Sequence, residues 1–279
     1  MTAQRTTRDR TWLLAVPGVG FLFAAYAVPL ALLLLVSFKF PETFTLSAYQ
    51  HFFADSYNWH VIWNTVRAAL LTTGFCLLLG YPAAFALAWS RGAVQILFLI
   101  CLILPLSVGI VVKAFAWTIV LRTDGVLNQA LVGLGILGQP MRLIFTEAGL
   151  IFGAVNVFIP FMILPIYSVV RLMDSRLVEA AQTMGATPLY VFRRVVLPLT
   201  LPGVIAGIAF VFSMSLAMYV VPTLLVGERY MTLSRQIARS YLYLRDEQLG
   251  STVAVVLLVF SLAVIVSSQW LAGRTRGAP

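Results

Sequence analysis

Six long apolar runs, at about residues 12–38, 64–89, 94–121, 148–172, 202–226 and 252–272, leave this chain few folds. A helix crosses the hydrocarbon of a bilayer in about 20 residues, and each run is long enough to do so. Helix is the conformation these lengths require, because a spanning segment must satisfy its own backbone polar groups. Pro29, Pro82, Pro105, Pro160, Pro165 and Pro222 lie inside the runs. Membrane helices accept such kinks where neighbours or water satisfy the freed carbonyls. The expected fold is all-α: a polytopic membrane protein of six transmembrane helices, forming one membrane domain over residues 1–279.

Composition supports the bilayer. Only 10% of residues are charged and 61% are hydrophobic, whereas a soluble domain carries about a quarter charged residues to keep its surface wet. The net charge of +9 does not point to nucleic acid, because the basic residues lie in short segments between apolar runs rather than in one stripe. Cys76 and Cys101 both fall inside apolar runs and are read as packing residues. His51 and His60 share one polar stretch with Asp55 as the sole nearby acidic residue, so a surface role is expected and no metal site. At the N-terminus, Arg5, Arg8 and Arg10 precede the run from Trp12 to Phe38. That run exceeds the roughly 7–15 residues of a signal-peptide core, so an uncleaved first span is expected.

An even number of spans puts both termini on one side. With the termini inside, ten Lys and Arg residues fall on inner segments and eight on outer ones, a bias toward cytoplasmic termini in an inner membrane. Residues 39–63 on the outer side carry Tyr49, Phe52, Phe53, Tyr57, Trp59 and Trp63, which suits a lipid–water interface. The outer loop 123–147 opens with a turn at Asp124-Gly125, and a short amphipathic helix is expected to run to about Leu137 and end at Gly138. Either loop is interfacial padding or a docking surface for a soluble partner.

The inner loop 173–201 is more specific. Asp174 or Ser175 is placed to cap a short helix, and Gly185 to end it in a left-handed conformation. Thr187-Pro188 is a start signal for a second helix, which Pro198 is expected to stop before Pro202-Gly203 turn the chain into the fifth span. Leu177, Val178, Ala181 and Met184 form an apolar stripe on the first helix, Glu179 projects elsewhere, and Ala180 leaves room for close approach. The residues thus describe a small hinged helix pair beneath the membrane.

This segment resembles the signature loop of permeases of ATP-binding-cassette importers. Glu179-Ala180-Ala181 is followed after three residues by Gly185, and after nine more by Val195, one residue, and Leu197-Pro198. The resemblance implies a type I importer permease whose loop is a coupling helix seated in a groove of a cytoplasmic ATPase. Glu179 would then meet a basic group of the ATPase, with Gly185 as hinge. Gly80-Tyr81-Pro82, Pro105, Arg122-Thr123-Asp124-Gly125, Pro160, Pro165 and the run Leu197–Gly203 are most similar to permeases of the spermidine/putrescine type. Their relatives also handle opines, aminophosphonates and other small cationic or zwitterionic solutes. The implied partners are an ATPase dimer carrying ATP and Mg, a second and different permease chain, and a periplasmic or extracellular substrate-binding protein.

The chain itself lacks a P-loop: Lys39 and Lys113 follow Phe38 and Val112 rather than glycine. It is expected to be no enzyme and to bind no cofactor of its own. An ion-coupled secondary transporter is the alternative reading, but such proteins use acidic or His residues within spans, and no Asp or Glu lies mid-span. Lys113 is the one charge deep in a run. It either faces a partner, a cavity or water, or snorkels outward. Together with Trp117 one turn on, Asn156, Ser215 and Tyr219, it is expected to line a translocation path, although each polar group alone equally serves as glue between helices. A cationic solute sits awkwardly beside Lys113.

Overall fold

The computed structural model describes residues 11–39 and 45–276. Arg5, Arg8 and Arg10, counted above in the charge bias, lie outside the described residues. In chain order the α-helices are α1 (Thr11–Ser37), α2 (Ser47–Ala54), α3 (Ser56–Trp89), α4 (Gly92–Ser107), α5 (Ile110–Val120), α6 (Val126–Gly133), α7 (Glu147–Leu172), α8 (Ser175–Thr183), α9 (Pro188–Val191), α10 (Leu197–Leu216), α11 (Val220–Leu225), α12 (Leu233–Arg239) and α13 (Glu247–Arg276). Among the described residues, five helical stretches are long and apolar enough to cross a membrane, and α4 with α5 makes a sixth when taken as one bent span.

The centre of the bundle is α7, packed between α3 and α10. Glycines let these helices approach closely. A Cβ at Gly80 of α3 would lie 3.0 Å from Met162 Cγ, and one at Gly207 of α10 would lie 2.8 Å from Met162 Sδ. At Gly203 it would meet the Pro165 carbonyl oxygen at 2.8 Å. Small residues are the usual means of bringing membrane helices together, because lipid tails give apolar side chains no reason to leave them. Met162 and Ile166 are fully buried at this seam. α13 packs on the outer side of α10, and α1 packs on α13. α1 exposes Phe21, Phe23 and Tyr26, which is the expected state of a lipid-facing helix.

Four expectations about helix bounds are corrected. The second span starts at Ser56 rather than 64, because Asp55 Oδ1 caps it by accepting from the Tyr57 N–H at 2.9 Å. The third run, 94–121, is two helices bent by 103° at Val108-Gly109, just after Pro105 interrupts the ladder. In the outer loop, α6 ends at Gly133 rather than Gly138, and Gly135 takes the left-handed turn at φ +71°. Pro198 does not stop a helix, nor do Pro202-Gly203 turn the chain: helix is continuous from Pro188 to Leu216. A π-helical turn at Phe192–Val196, closed by the Leu197 N–H on Phe192 O, lies immediately before Pro198. The i→i−4 ladder is already interrupted there, so the missing N–H of proline costs little. The fifth run breaks instead at Ala217–Tyr219, before α11.

α7 begins where Glu147 meets Arg67, eleven residues into α3, and both helices run toward the end that carries the loop 173–201. That end is called here the loop end, and the opposite one the far end.

Candidate functional site

At the loop end, each turn of the chain has a local cause. Asp174 Oδ1 accepts from the Arg176 N–H at 2.9 Å and starts α8. Gly185 stands at φ +81°, where an L side chain is strained, and its N–H bonds Gln182 O while that of Ala186 bonds Ala181 O. Thr187 Oγ1 then accepts from the Tyr190 N–H at 3.4 Å, with Pro188 in the first turn of α9. The hinged pair of helices therefore has both start signals and the Gly185 stop read from the sequence, but not the stop expected at Pro198.

One side of this loop is keyed into the bundle and the other is open. Ala181, Val191 and Val196 are buried in the same core cluster as Ile166 and Val170, with Val178, Ala186 and Val195 packed against it. The expected stripe on α8 is thus split: Val178 and Ala181 face the core, while Leu177 and Met184 are exposed, the latter at 82%. Glu179, Ala180, Leu189 and Tyr190 are also exposed. Among the described residues Glu179 makes no ion pair. Of the motif's end, Leu197 and Pro198 are exposed and Val195 is half-buried.

The loop is tied to the spans by polar and aromatic contacts as well. Thr200, fully buried on α10, lies 3.0 Å from the Tyr81 hydroxyl of α3. The Tyr81 ring meets Phe192 edge-on at 6.1 Å. Gly80-Tyr81-Pro82 thus braces the base of the loop.

Within the bundle, the structure brings together two of the five residues expected along a path. Trp117 of α5 donates its indole N–H to Asn156 Oδ1 of α7 at 3.0 Å and packs edge-on against Phe152 at 4.8 Å. Both line an apolar cleft of 540 Å³ with Leu71, Phe75, Leu79 and Ile159. Lys113 lies one turn before Trp117 on α5, half-buried, with no carboxylate at ion-pair distance among the described residues. Ser215 is buried on α10 with an unbonded hydroxyl, and Tyr219 is exposed at the α10–α11 break. α11 packs on α5, so the segments following the two helix breaks are neighbours, but Lys113, Ser215 and Tyr219 do not line the cleft.

Sequence reading missed a polar cluster that reaches that cleft through Glu147. Glu147, at the start of α7, lies 2.9 Å from Arg67 Nη2 and 3.3 Å from the Tyr230 hydroxyl, which is also 3.0 Å from Asn64 O. Burial first, then the Glu147 charge and hydrogen bond, hold the Tyr230 phenol well above its ordinary pKa, against a lowering by Arg67. The group stays protonated and acts as a donor. Arg67 and Glu147 are visible in the sequence only as far-end charges, and no spacing rule joins them.

A family model described as "Binding-protein-dependent transport system inner membrane component" matches residues 76–277. The chain is 35% identical over 221 residues to the spermidine/putrescine transport system permease protein PotB of Haemophilus influenzae, covering 79% of this chain and 77% of that one. It is 34% identical over 232 residues to PotB of Escherichia coli, covering 83% of each. Among solved structures, a chain of a bacterial alginate ABC transporter in complex with an alginate pentasaccharide-bound periplasmic protein superposes with a TM-score of 0.76 at 18% identity, covering 96% of this chain and 95% of that one. By the extent of these matches, and with the hinged loop inside the matched region, the chain belongs to the family of binding-protein-dependent transport system inner-membrane components.

Proposed function

We propose that this chain is one of two different permease subunits in an ATP-driven importer of small organic cations of the polyamine class, and that its 279 residues form one membrane domain. The observation that carries the mechanism is the two-sided loop: Ala181, Val191 and Val196 grip the bundle while Glu179, Ala180 and Met184 are offered outward. A separate ATPase dimer, holding ATP and Mg, seats that outward face. Gly185 is the hinge between the arms, and Val195, Leu197 and Pro198 carry the second arm into α10. Both termini and the loop are then cytoplasmic, and a substrate-binding protein delivers solute to the far end. The two PotB relatives support the solute class.

Solute passes the neighbouring helix breaks, with Trp117 and Asn156 on the wall of the cleft and Lys113, Ser215 and Tyr219 beside it. Lys113 repels a cation, so in this reading it limits how long the solute dwells rather than binding it. The test is uptake of labelled spermidine into proteoliposomes holding the whole complex. Uptake should require ATP inside, the binding protein outside and Glu179. Uptake driven by a proton or sodium gradient without ATP would overturn the reading.

A further inference from the structure

The arm of the loop that runs into α10 carries a basic cluster with no partner in the bundle. Thr187, Leu189, Tyr190, Arg193, Arg194 and Pro198 line an open depression of 760 Å³ at the loop end. Val191 and Val196, both buried, and Phe192 against Tyr81 fix the side of this arm that faces the bundle. Tyr190, Arg193 and Arg194 are exposed. Among the described residues neither arginine forms an ion pair or a side-chain hydrogen bond, and the Tyr190 hydroxyl is also unbonded. Two guanidiniums on consecutive residues repel each other unless they share an anion.

The depth of the cluster follows from α3, which packs on α10 and runs the opposite way. Thr200 of α10 and Tyr81 of α3 stand level, at 3.0 Å. From that level Arg194 lies six residues, roughly 9 Å, toward the loop end, and Trp89 eight residues, roughly 12 Å. Trp89 ends α3 and is 72% exposed, as suits a ring at headgroup level. The arginines thus stand at the edge of the bilayer. From Val195 to Gly227 the chain carries no charged side chain. Pro202, one turn on from Pro198, begins an apolar groove of 340 Å³ between α10 and α13, lined also by Ile205, Ala206, Ala209 and Ile265. Pro198, Pro202, Ile205 and Ala209 are spaced four, three and four apart, so depression and groove share one face of the helix. The groove follows α10 from Pro202 to Met214, roughly 18 Å of helix and close to half of the hydrocarbon thickness.

We propose that this face of α10 holds an anionic phospholipid, its phosphodiester between Arg193 and Arg194 with the Tyr190 hydroxyl as a further donor, and one acyl chain in the groove between α10 and α13. Guanidiniums present paired N–H donors to phosphate oxygens, and basic pockets at the membrane surface take such headgroups. A soluble protein meeting the arginines would leave the groove above them empty, so lipid is the occupant that fits both halves. Occupancy depends on α10 spanning the bilayer and not on the solute carried or on ATP.

The test is native mass spectrometry of the full chain, released from neutral detergent after titration with phosphatidylglycerol or phosphatidylcholine. A basic side chain near the membrane surface is worth about fivefold in affinity for anionic lipid. Phosphatidylglycerol should therefore be held about tenfold or more tightly than phosphatidylcholine. R193Q/R194Q should abolish that preference and leave phosphatidylcholine binding unchanged, which reports an intact groove. R91Q/R176Q removes the same charge from exposed positions at the same end and should keep the preference. Excess inorganic phosphate should not displace the lipid, because it fills no groove. A photo-reactive amino acid in place of Tyr190 should label lipid in native membranes. Equal affinity for the two lipids, equal loss in the two double variants, displacement by phosphate, or a protein adduct at Tyr190 would each overturn the proposal.

Discussion

Trp117 and Asn156 are joined by a hydrogen bond of 3.0 Å that ties the far half of a broken span, α5, to the central helix α7. The bond closes one wall of the apolar cleft, and it puts a polar pair where the surrounding side chains are Leu71, Phe75 and Ile159. Such a bond between membrane helices contributes about 0.6–2 kcal/mol. Its position at the cleft matters more here than its strength.

Cysteine placed at Asn156 in a C101S background should react with a small aqueous thiol reagent, and added solute should slow the reaction. Cys76 is fully buried and should stay silent. Labelling at Asn156 no faster than at the lipid-facing Phe23 would remove the cleft from the path.

Gly185→Val should cut uptake severely while leaving the chain in the membrane at normal abundance. The native φ of +81° costs a non-glycine residue about 1–2 kcal/mol. Open space surrounds the position, so no clash adds to that. Gly185→Asn should retain more uptake than Val, because Asn visits the left-handed region most readily after Gly. Equal activity of the two variants would mean that the hinge conformation is irrelevant.

Gly203→Val should lower the thermal midpoint of the detergent-solubilised chain. The added carbon meets the Pro165 carbonyl and Ile166 Cα of α7, and overpacking of this kind costs about 1–3 kcal/mol. Gly74→Ala, with nothing within 4 Å of the new Cβ, is the matched control and should be neutral. A scan by thermal unfolding with a fluorescent reporter reads both.

Glu147→Arg should impair stability or uptake by setting two cations together, and Arg67→Glu in the same chain should restore part of the loss. The bridge is half-exposed at Arg67, so the rescue will be small, in keeping with pairs near water. Full additivity of the two single changes would show that the pair is not coupled.

Much of this architecture is legible in the residues, for reasons that are local. The spans follow from apolar length, and the hinged loop from Asp174, Gly185 and Thr187-Pro188, whose capping bonds reach only two to five residues along the chain. What sequence reading missed depends on distant partners or on how proline defects are absorbed. The bend at Val108-Gly109 falls inside a run that is apolar enough over its whole length to read as a single span. Pro198 reads as a stop, yet the π-turn before it lets the helix continue into α10. Arg67 with Glu147, and Asn58 with Gln236, join residues far apart in the chain. Of the five residues expected along a path, only Trp117 and Asn156 share the cleft, because polarity within a span does not say which side of the helix faces it.

Site-specific cross-linking shows whether a separate ATPase holds the outward face of α8. With a photo-reactive amino acid in place of Met184, the chain should form a covalent adduct with an ATP-binding subunit in native membranes, and Glu179→Lys in the same chain should reduce that adduct. Breaking one partner of an interfacial charge pair costs about 2–5 kcal/mol, so the loss of adduct should be large. A probe at Met184 that reacts only with lipid, or that is reached by an impermeant reagent from outside the cell, would mean that α8 seats no ATPase.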